Sequence, residues 1–428
     1  MKRTIVASIV VFSITVISAI ALFIMPVLAV SAGAYDSVLV GKGDPAQDIK
    51  AVQDAVDKGG KVLLKGTFDF GQKGQVNIRN DVEIFGEADE KGIPVTKIKG
   101  GFWTFHAPLP PQLPPQAPGP KITIQGIHFD GALWTPVNLA YSSGAVIAGN
   151  KITNVLPLPR KQPVFGKPGL SLQAGIYISG LLMKPKEPPR CLPGAITGQL
   201  TIERNDIDLS NEAPEKTFSE GVFVVGATGA TVRIIGNTIT NCARNSIEAL
   251  DNALDKDGNG VIIVKANRII TSTMGPPVPT PDTPNGIVVG WFLDQSGVKD
   301  PLRNPKFIVV GNHIETRGET SGGVWLLSDG VVLMSNDIVL NGGPQAKGIL
   351  AYGSNGLIAH NKIAGSGVCS MMAVPGKVLL GCGNSFVDND TSAFKASMAH
   401  VLLQGNNNLL VGACGKVVDK GEGNRTLE

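Results

Sequence analysis

Asparagine returns along this chain at a spacing that leaves few folds open. Each one is followed two residues later by an aliphatic or aromatic residue: Asn150/Ile152, Asn205/Ile207, Asn237/Ile239, Asn267/Ile269, Asn312/Ile314, Asn336/Ile338, Asn361/Ile363 and Asn384/Phe386, with Asn407/Leu409 closing the series. From Asn312 onward the steps are 24, 25, 23 and 23 residues, and the earlier steps of 55, 32, 30 and 45 read as the same unit carrying insertions. A fixed period of this length belongs to stacked supersecondary units rather than to a globular core with long-range topology.

The third residue before each of the first seven is apolar: Ile147, Ile202, Ile234, Val264, Val309, Leu333 and Ile358. With the Asn at zero, positions −5, −3, 0 and +2 point inward, which is the alternation of a strand with one buried face. A Gly often stands just before the Asn (Gly149, Gly236, Gly311), as expected where the backbone turns sharply. A third short strand follows a small residue further round, at Gly175, Gly221, Ser246, Gly286, Gly323 and Gly348. Three strands per turn, each paired with its copy above, predict a parallel β-helix. Turns stacked about 4.8 Å apart, roughly eleven of them, would extend about 50 Å. A buried Asn left unpaired costs on the order of 2–7 kcal/mol, so the recurring amides are expected to bond to one another and to turn backbone.

This pattern resembles the right-handed parallel β-helix proteins of the pectate-lyase-like superfamily, which carry such Asn ladders. The stretch from Asp48 to Phe70 also looks like the start of those proteins, with a short helix, Gly59-Gly60, then a first strand. In that stretch Ile49, Val52 and Val56 fall at helical spacing and the two glycines stop the helix. The resemblance covers roughly residues 44 to 420 and speaks to fold. It leaves activity open, because the superfamily hosts many chemistries. Two of its signatures are absent here: the paired Asp with Gly-His-Gly of polygalacturonase-like hydrolases, and the clustered Asp residues of calcium-dependent pectate lyases.

The ends and the composition bound the setting. Lys2-Arg3 precede an apolar run from Ile5 to Val30, and Ala32-Gly33-Ala34 supplies a cleavage site. Residues 1–34 therefore read as a secretory signal and 35–428 as one domain, secreted, periplasmic or at the cell surface. An uncleaved membrane anchor is the competing reading, and the only one that brings in a membrane. The net charge is +3, and without Lys2 and Arg3 it falls to +1, which argues against a nucleic-acid partner. The five cysteines form no Cys-x-x-Cys pair. Disulfides among Cys369, Cys382 and Cys414 and buried free thiols are both open readings.

Length variation concentrates in three insertions, near 106–120, 155–198 and 274–306. The first is Pro-rich; the second holds Arg160, Lys161, Lys167, Lys184, Lys186 and Arg190. Loops on a regular scaffold are where binding groups usually sit, and these cations favour an anionic partner. The competing reading is that they cover a sheet face or block end-to-end association.

In relatives of this fold, ligand lies along the sheet built from the third strand. Tyr177, Phe223, Trp291, Trp325 and Tyr352 are then the candidates for stacking on sugar rings. Within that face Arg244, Glu248 and Asp251 flank one strand, and Glu220 begins its neighbour. Glu248 is the candidate acid or base, Arg244 the charge stabiliser, and Asp251 or Glu220 the second carboxylate. The bland alternative is an Arg–Glu ion pair closing a turn. Asp255, Asp257 and Asn259 match the first half of a calcium loop, but Ala266 stands where the bidentate Glu belongs. Calcium is the one cofactor this suggests, and a Gly-rich turn explains the same residues. The sequence thus points to an exported β-helix protein that binds, and as an enzyme would cleave or modify, a polysaccharide of acidic character. The alternative is a non-catalytic, adhesin-like surface solenoid.

Overall fold

A computed structural model describes residues 34–161, 168–182, 190–276, 283–290, 305–376, 379–412 and 415–427. Asp36–Glu428 form one compact unit. Its first regular core element is the helix Pro45–Lys58, capped by Asp44, whose side chain accepts from Gln47 N at 2.9 Å. Gly59, at φ 73, ends it. Val52, Ala55 and Val56 face the core, so the helix closes one end of an apolar interior.

Beyond it, three parallel ladders each take one strand per turn. The first holds fourteen strands, from Ser37–Val40 to Arg425–Leu427. Its inward row reads Val62, Ile84, Ile124, Ile147, Ile202, Ile234, Val264, Val309, Leu333, Ile358, Phe386 and Leu410, each in register with the next. The second ladder stacks Phe68, Ile98, Phe129, Ile152, Ile207, Ile239, Ile269, Ile314, Ile338 and Ile363. The third stacks Val76, Phe105, Val137, Ile176, Val222, Ile247, Ile287, Val324, Ile349, Met371 and Val401. All three rows belong to one buried cluster. Each such side chain contributes roughly 1.5–3 kcal/mol by leaving water. This is the parallel β-helix that the Asn period predicts. Near its end Lys362–Ala373 and Phe394–Leu403 are long enough to join the second and third ladders into one sheet.

The amide file is continuous from Asn150 through Asn205, Asn237, Asn267, Asn312, Asn336 and Asn361. In each step Oδ1 of the later residue accepts from both N and Nδ2 of the earlier one at 2.8–3.1 Å. Nδ2 also donates to the carbonyl of the −3 residue one turn before, as Asn237 does to Ile202 and Asn267 to Ile234. No amide donor is left over, which is what permits full burial. The residue before each Asn has a left-handed backbone: Gly149, Arg204, Gly236, Ala266, Gly311, Ser335 and His360, at φ 52–64. Glycine is cheapest there, and the other residues are strained but held by the stack.

The two final members of the predicted series do not continue this file. Asn361 bonds to Asn389, at 3.0 and 2.9 Å. Asn384 starts a second short file with Asn408 and Asn424 at another corner, so Asn408 and not Asn407 carries the bond. The physical cause is that an Asn two residues before an inward apolar side chain is legible at either corner. Phe386 pairs with Ile358, a −3 position of the main file, whereas the true +2 residues lie in the next ladder.

Glycines open most third-ladder strands for a packing reason. A Cβ on Gly286 would lie 2.4 Å from Ile314 Cγ2 and 2.5 Å from Gly323 O. Ser246 breaks this file, and its Oγ is sealed without a partner. The strand Ser171–Ser179 lies within the segment read as an insertion at 155–198, and the Pro-rich segment begins inside the strand Phe105–Ala107. Cys242 and Cys369 are buried, Cys191 and Cys382 half-buried, and Cys414 lies outside the described residues. Among the described residues, Cys191, Cys242 and Cys382 are free thiols, so the disulfide reading fails for Cys382.

Candidate functional site

Alternate residues of the third ladder face away from the core. Their row reads Asn77, His106, Asn138, Tyr177, Phe223, Glu248, Val288, Trp325, Leu350 and Met372, in unbroken register. From Tyr177 to Leu350 each member lies two residues after one of the strand starts Gly175, Gly221, Ser246, Gly286, Gly323 and Gly348 read from the sequence. Three environments follow one another along it.

The far end is covered. Phe223, Val225, Leu250, Val288, Trp325, Leu327 and Leu350 form a second buried cluster, with Leu181, Tyr352 and Leu379 packed on it. Trp325 is 6% exposed, its ring lies 5.7 Å from Tyr352, and its Nε1 is sealed without a hydrogen bond. Trp291 lies outside the described residues.

At the centre stands the ionic cluster. Glu220 and Asn245 are in register on neighbouring strands, and Glu248 is three residues further along the second of them. Arg244 Nη1 donates to Glu220 Oε1 and to Glu248 Oε2, and Asn245 Nδ2 donates to the same Glu248 oxygen. The guanidinium lies 4.0 Å above the Phe218 ring. Asn285 Nδ2 donates to Asn245 Oδ1 at 3.0 Å, extending the network by one turn. Side chains of Arg244, Glu220 and Glu248 are 5%, 3% and 6% exposed. Burial pushes the Glu220 carboxyl well above its ordinary range. Arg244 offsets this in part and the Glu248 charge adds to it. For Arg244 burial acts against the charge, but the two carboxylates outweigh it and hold the guanidinium charged. Glu220 Oε2 is sealed without a partner. Asp251 sits at the other end of its strand, in a left-handed turn at φ 53, with N donating to Gly290 O at 2.8 Å.

The near end is half-open and aromatic. Phe102 stacks on Trp103 at 4.9 Å, Trp103 lies 5.3 Å from Trp134, Trp134 lies 5.7 Å from Tyr177, and Tyr177 stacks on Phe223 at 4.5 Å with rings 3° from parallel. Phe102, Trp103, Trp134 and Tyr177 are all partly exposed. Trp103 and Trp134 have left-handed backbones, φ 49 and 71, a conformation that costs a bulky residue about 1–3 kcal/mol. That backbone occurs at the corner leading into the third ladder, and both rings lie with Tyr177 on its outer face. His106 is 9% exposed, with its ring 4.7 Å from Trp103 and Nδ1 3.1 Å from Asn138 O. A cleft of about 390 Å³ opens nearby, lined by Asp69, Gln72, Lys99, Leu133, Leu156 and Pro157. Sequence reasoning about the groove missed Phe102, Trp103, His106 and Trp134. Their signal is the repeated apolar-Trp-Thr run, Phe102-Trp103-Thr104 and Leu133-Trp134-Thr135, which falls in turns before the Asn series begins.

The suggested calcium loop is a closed turn. Asp255 Oδ1 accepts from Asp257 N and Asn259 N, and its Oδ2 accepts from Asn259 Nδ2. Those bonds, not a burial effect, hold its carboxyl below the usual range. Among the described residues no cluster of three or more His, Cys, Asp or Glu could hold a metal ion. Of the six loop cations only Arg160 and Lys161 have described side chains, and both are exposed.

Fold and face together define a parallel β-helix protein with an aromatic, partly open side. No protein-family model matches the chain, and no curated protein matches it. Solved structures similar over most of its length include two A-modules of mannuronan C-5 epimerases from Azotobacter vinelandii. AlgE4 shares 13% identity over 90% of this chain and 88% of its own, with a TM-score of 0.35. AlgE6 shares 14% over 87% and 85%, with a TM-score of 0.27. Neither likeness is close enough to carry an activity across.

Proposed function

We propose that this chain binds an extended polysaccharide on the outer face of its third ladder, at the aromatic end formed by Phe102, Trp103, Trp134 and Tyr177. One observation carries the reading: two tryptophans one turn apart hold unfavourable left-handed backbones and leave their rings partly exposed on one face. Ring contacts within the row only offset that strain, whereas sugar rings stack on such partly exposed faces. Exposed Arg79, Arg160 and Lys161 near this end suit a polymer that carries carboxylates. The apolar stretch before Ala34 fits delivery to the cell surface, where such polymers are met. Calorimetric titration with neutral and uronic-acid oligosaccharides tests the reading. Tight binding by the intact chain, weakened at least ten-fold by Trp134→Ala, is expected; equal affinity in the two proteins would sink it.

A catalytic version rests on a different observation, the Glu220 acid whose Oε2 has no partner beside Glu248 and Arg244. In it Glu220 supplies a proton, Glu248 accepts one, and Arg244 neutralises charge on the sugar acid. The cluster's burial favours a structural role, so binding is the primary reading. Incubation with oligogalacturonates decides: product that vanishes in Glu248→Gln while binding persists would establish catalysis.

A further inference from the structure

The His106 ring lies 4.7 Å from that of Trp103, and its two ring nitrogens have different surroundings. Nδ1 lies 3.1 Å from the backbone oxygen of Asn138, which can only accept, so Nδ1 carries the proton. In the neutral ring Nε2 is then a lone-pair acceptor. It has no hydrogen-bond partner among the described residues, and it is not among the polar atoms sealed from solvent. Burial and the charge of Arg79 hold the imidazole below its ordinary range, with the Asn138 bond acting the other way. The neutral Asn77 and Asn138 stand in register on either side, beside the Trp103 ring. No carboxylate among the described residues contributes to its titration.

We propose that His106 reads a sugar hydroxyl beside Trp103 on the aromatic platform, with the ligand O–H donating to Nε2. This rests on the polysaccharide reading and goes further, because it states which functional group the ligand presents there. A carboxylate has no proton to donate and is excluded from this position, so any acid group of the polymer is turned toward the exposed cations instead. An unmet acceptor this near the rings also selects against a saccharide deoxygenated or O-acylated at that position.

The test is titration calorimetry on the full chain with xylo-, cello- and oligogalacturonate oligosaccharides between about pH 5 and 7.5, where uronic acids stay ionised. The neutral ring binds, so affinity is expected to rise as pH increases through the lowered His106 value and then level off. His106→Phe should weaken binding about five- to ten-fold at the upper pH. His106→Gln, which keeps an acceptor, should retain most of the affinity and lose the pH dependence. Affinity that instead rises toward low pH and flattens in His106→Gln would mean that the imidazolium grips a carboxylate, overturning the proposal. Binding that depends on Trp134 but is indifferent to both His106 variants and to pH overturns it alone and leaves the platform standing. No binding by any probe overturns both. Circular dichroism of each variant confirms that it is folded before its affinity is read.

Discussion

Trp134 and Trp325 lie over the outer face of one ladder, and their surroundings are opposite. Trp325 follows its strand's regular alternation, is 6% exposed, and is roofed by apolar side chains. Trp134 sits in a left-handed corner, partly exposed, between Trp103 and Tyr177. One tryptophan therefore adds a second core, and the other is held against its own backbone preference at the surface. The contrast teaches that an aromatic residue on the groove side of a β-helix is not by itself a binding residue. What covers the face decides.

The contrast can be broken most severely at its covered end. Trp325→Ala should cost about 3–5 kcal/mol in denaturant unfolding. It should leave oligosaccharide affinity unchanged; a loss of affinity without a loss of stability would reverse the assignment of the two ends. Arg244→Met, at the boundary, should cost about 3–5 kcal/mol at neutral pH by stranding two buried carboxylates. Part of that loss should return in acid, as Glu220 takes up a proton.

Glu220→Gln sharpens the same boundary through pH. The folded chain holds the Glu220 proton more tightly than the unfolded chain does, because its value lies well above 4.5. The stability it confers is thus fullest below that ordinary value and declines as pH rises toward the raised one. Unfolding midpoints taken from about pH 5 to 8 should fall less steeply in Glu220→Gln than in the parent. Parallel slopes would mean that Glu220 is not the group responsible. The smallest stability change belongs to Trp134→Gly. Relief of the left-handed strain and loss of ring contacts should nearly cancel, to within about 1 kcal/mol. Binding should nevertheless drop at least ten-fold, which separates function from packing at this residue.

Much of the winding was legible in the sequence because it is local and repeated. The amide file from Asn150 to Asn361, the inward aliphatic rows and the register from Tyr177 to Leu350 all follow from spacing. The corner glycines were legible in part, since Arg204, Ala266, Ser335 and His360 take the same left-handed backbone without being glycine. The end of the file was misplaced at Asn384 because two corners share one local pattern. Of the turns before Asn150, only the opening helix and the strand after Gly59 were legible. At Gly126 the corner is held by glycine, and the file begins only where Ile127 N donates to Asn150 Oδ1 at 3.1 Å.

The chain by itself determined that its strands stack in parallel and which residue stands above which, since a repeat satisfies its buried amides and fills its core only from the adjacent turns. It also nominated Arg244, Glu220 and Glu248 as neighbours, which one strand-to-strand step is enough to bring about. Only the tertiary structure decided that those three are sealed, that Trp325 is core, and that Trp103, His106 and Trp134 share an open face. Exposure depends on segments far away in sequence folding over a sheet, and no periodicity within a turn encodes that.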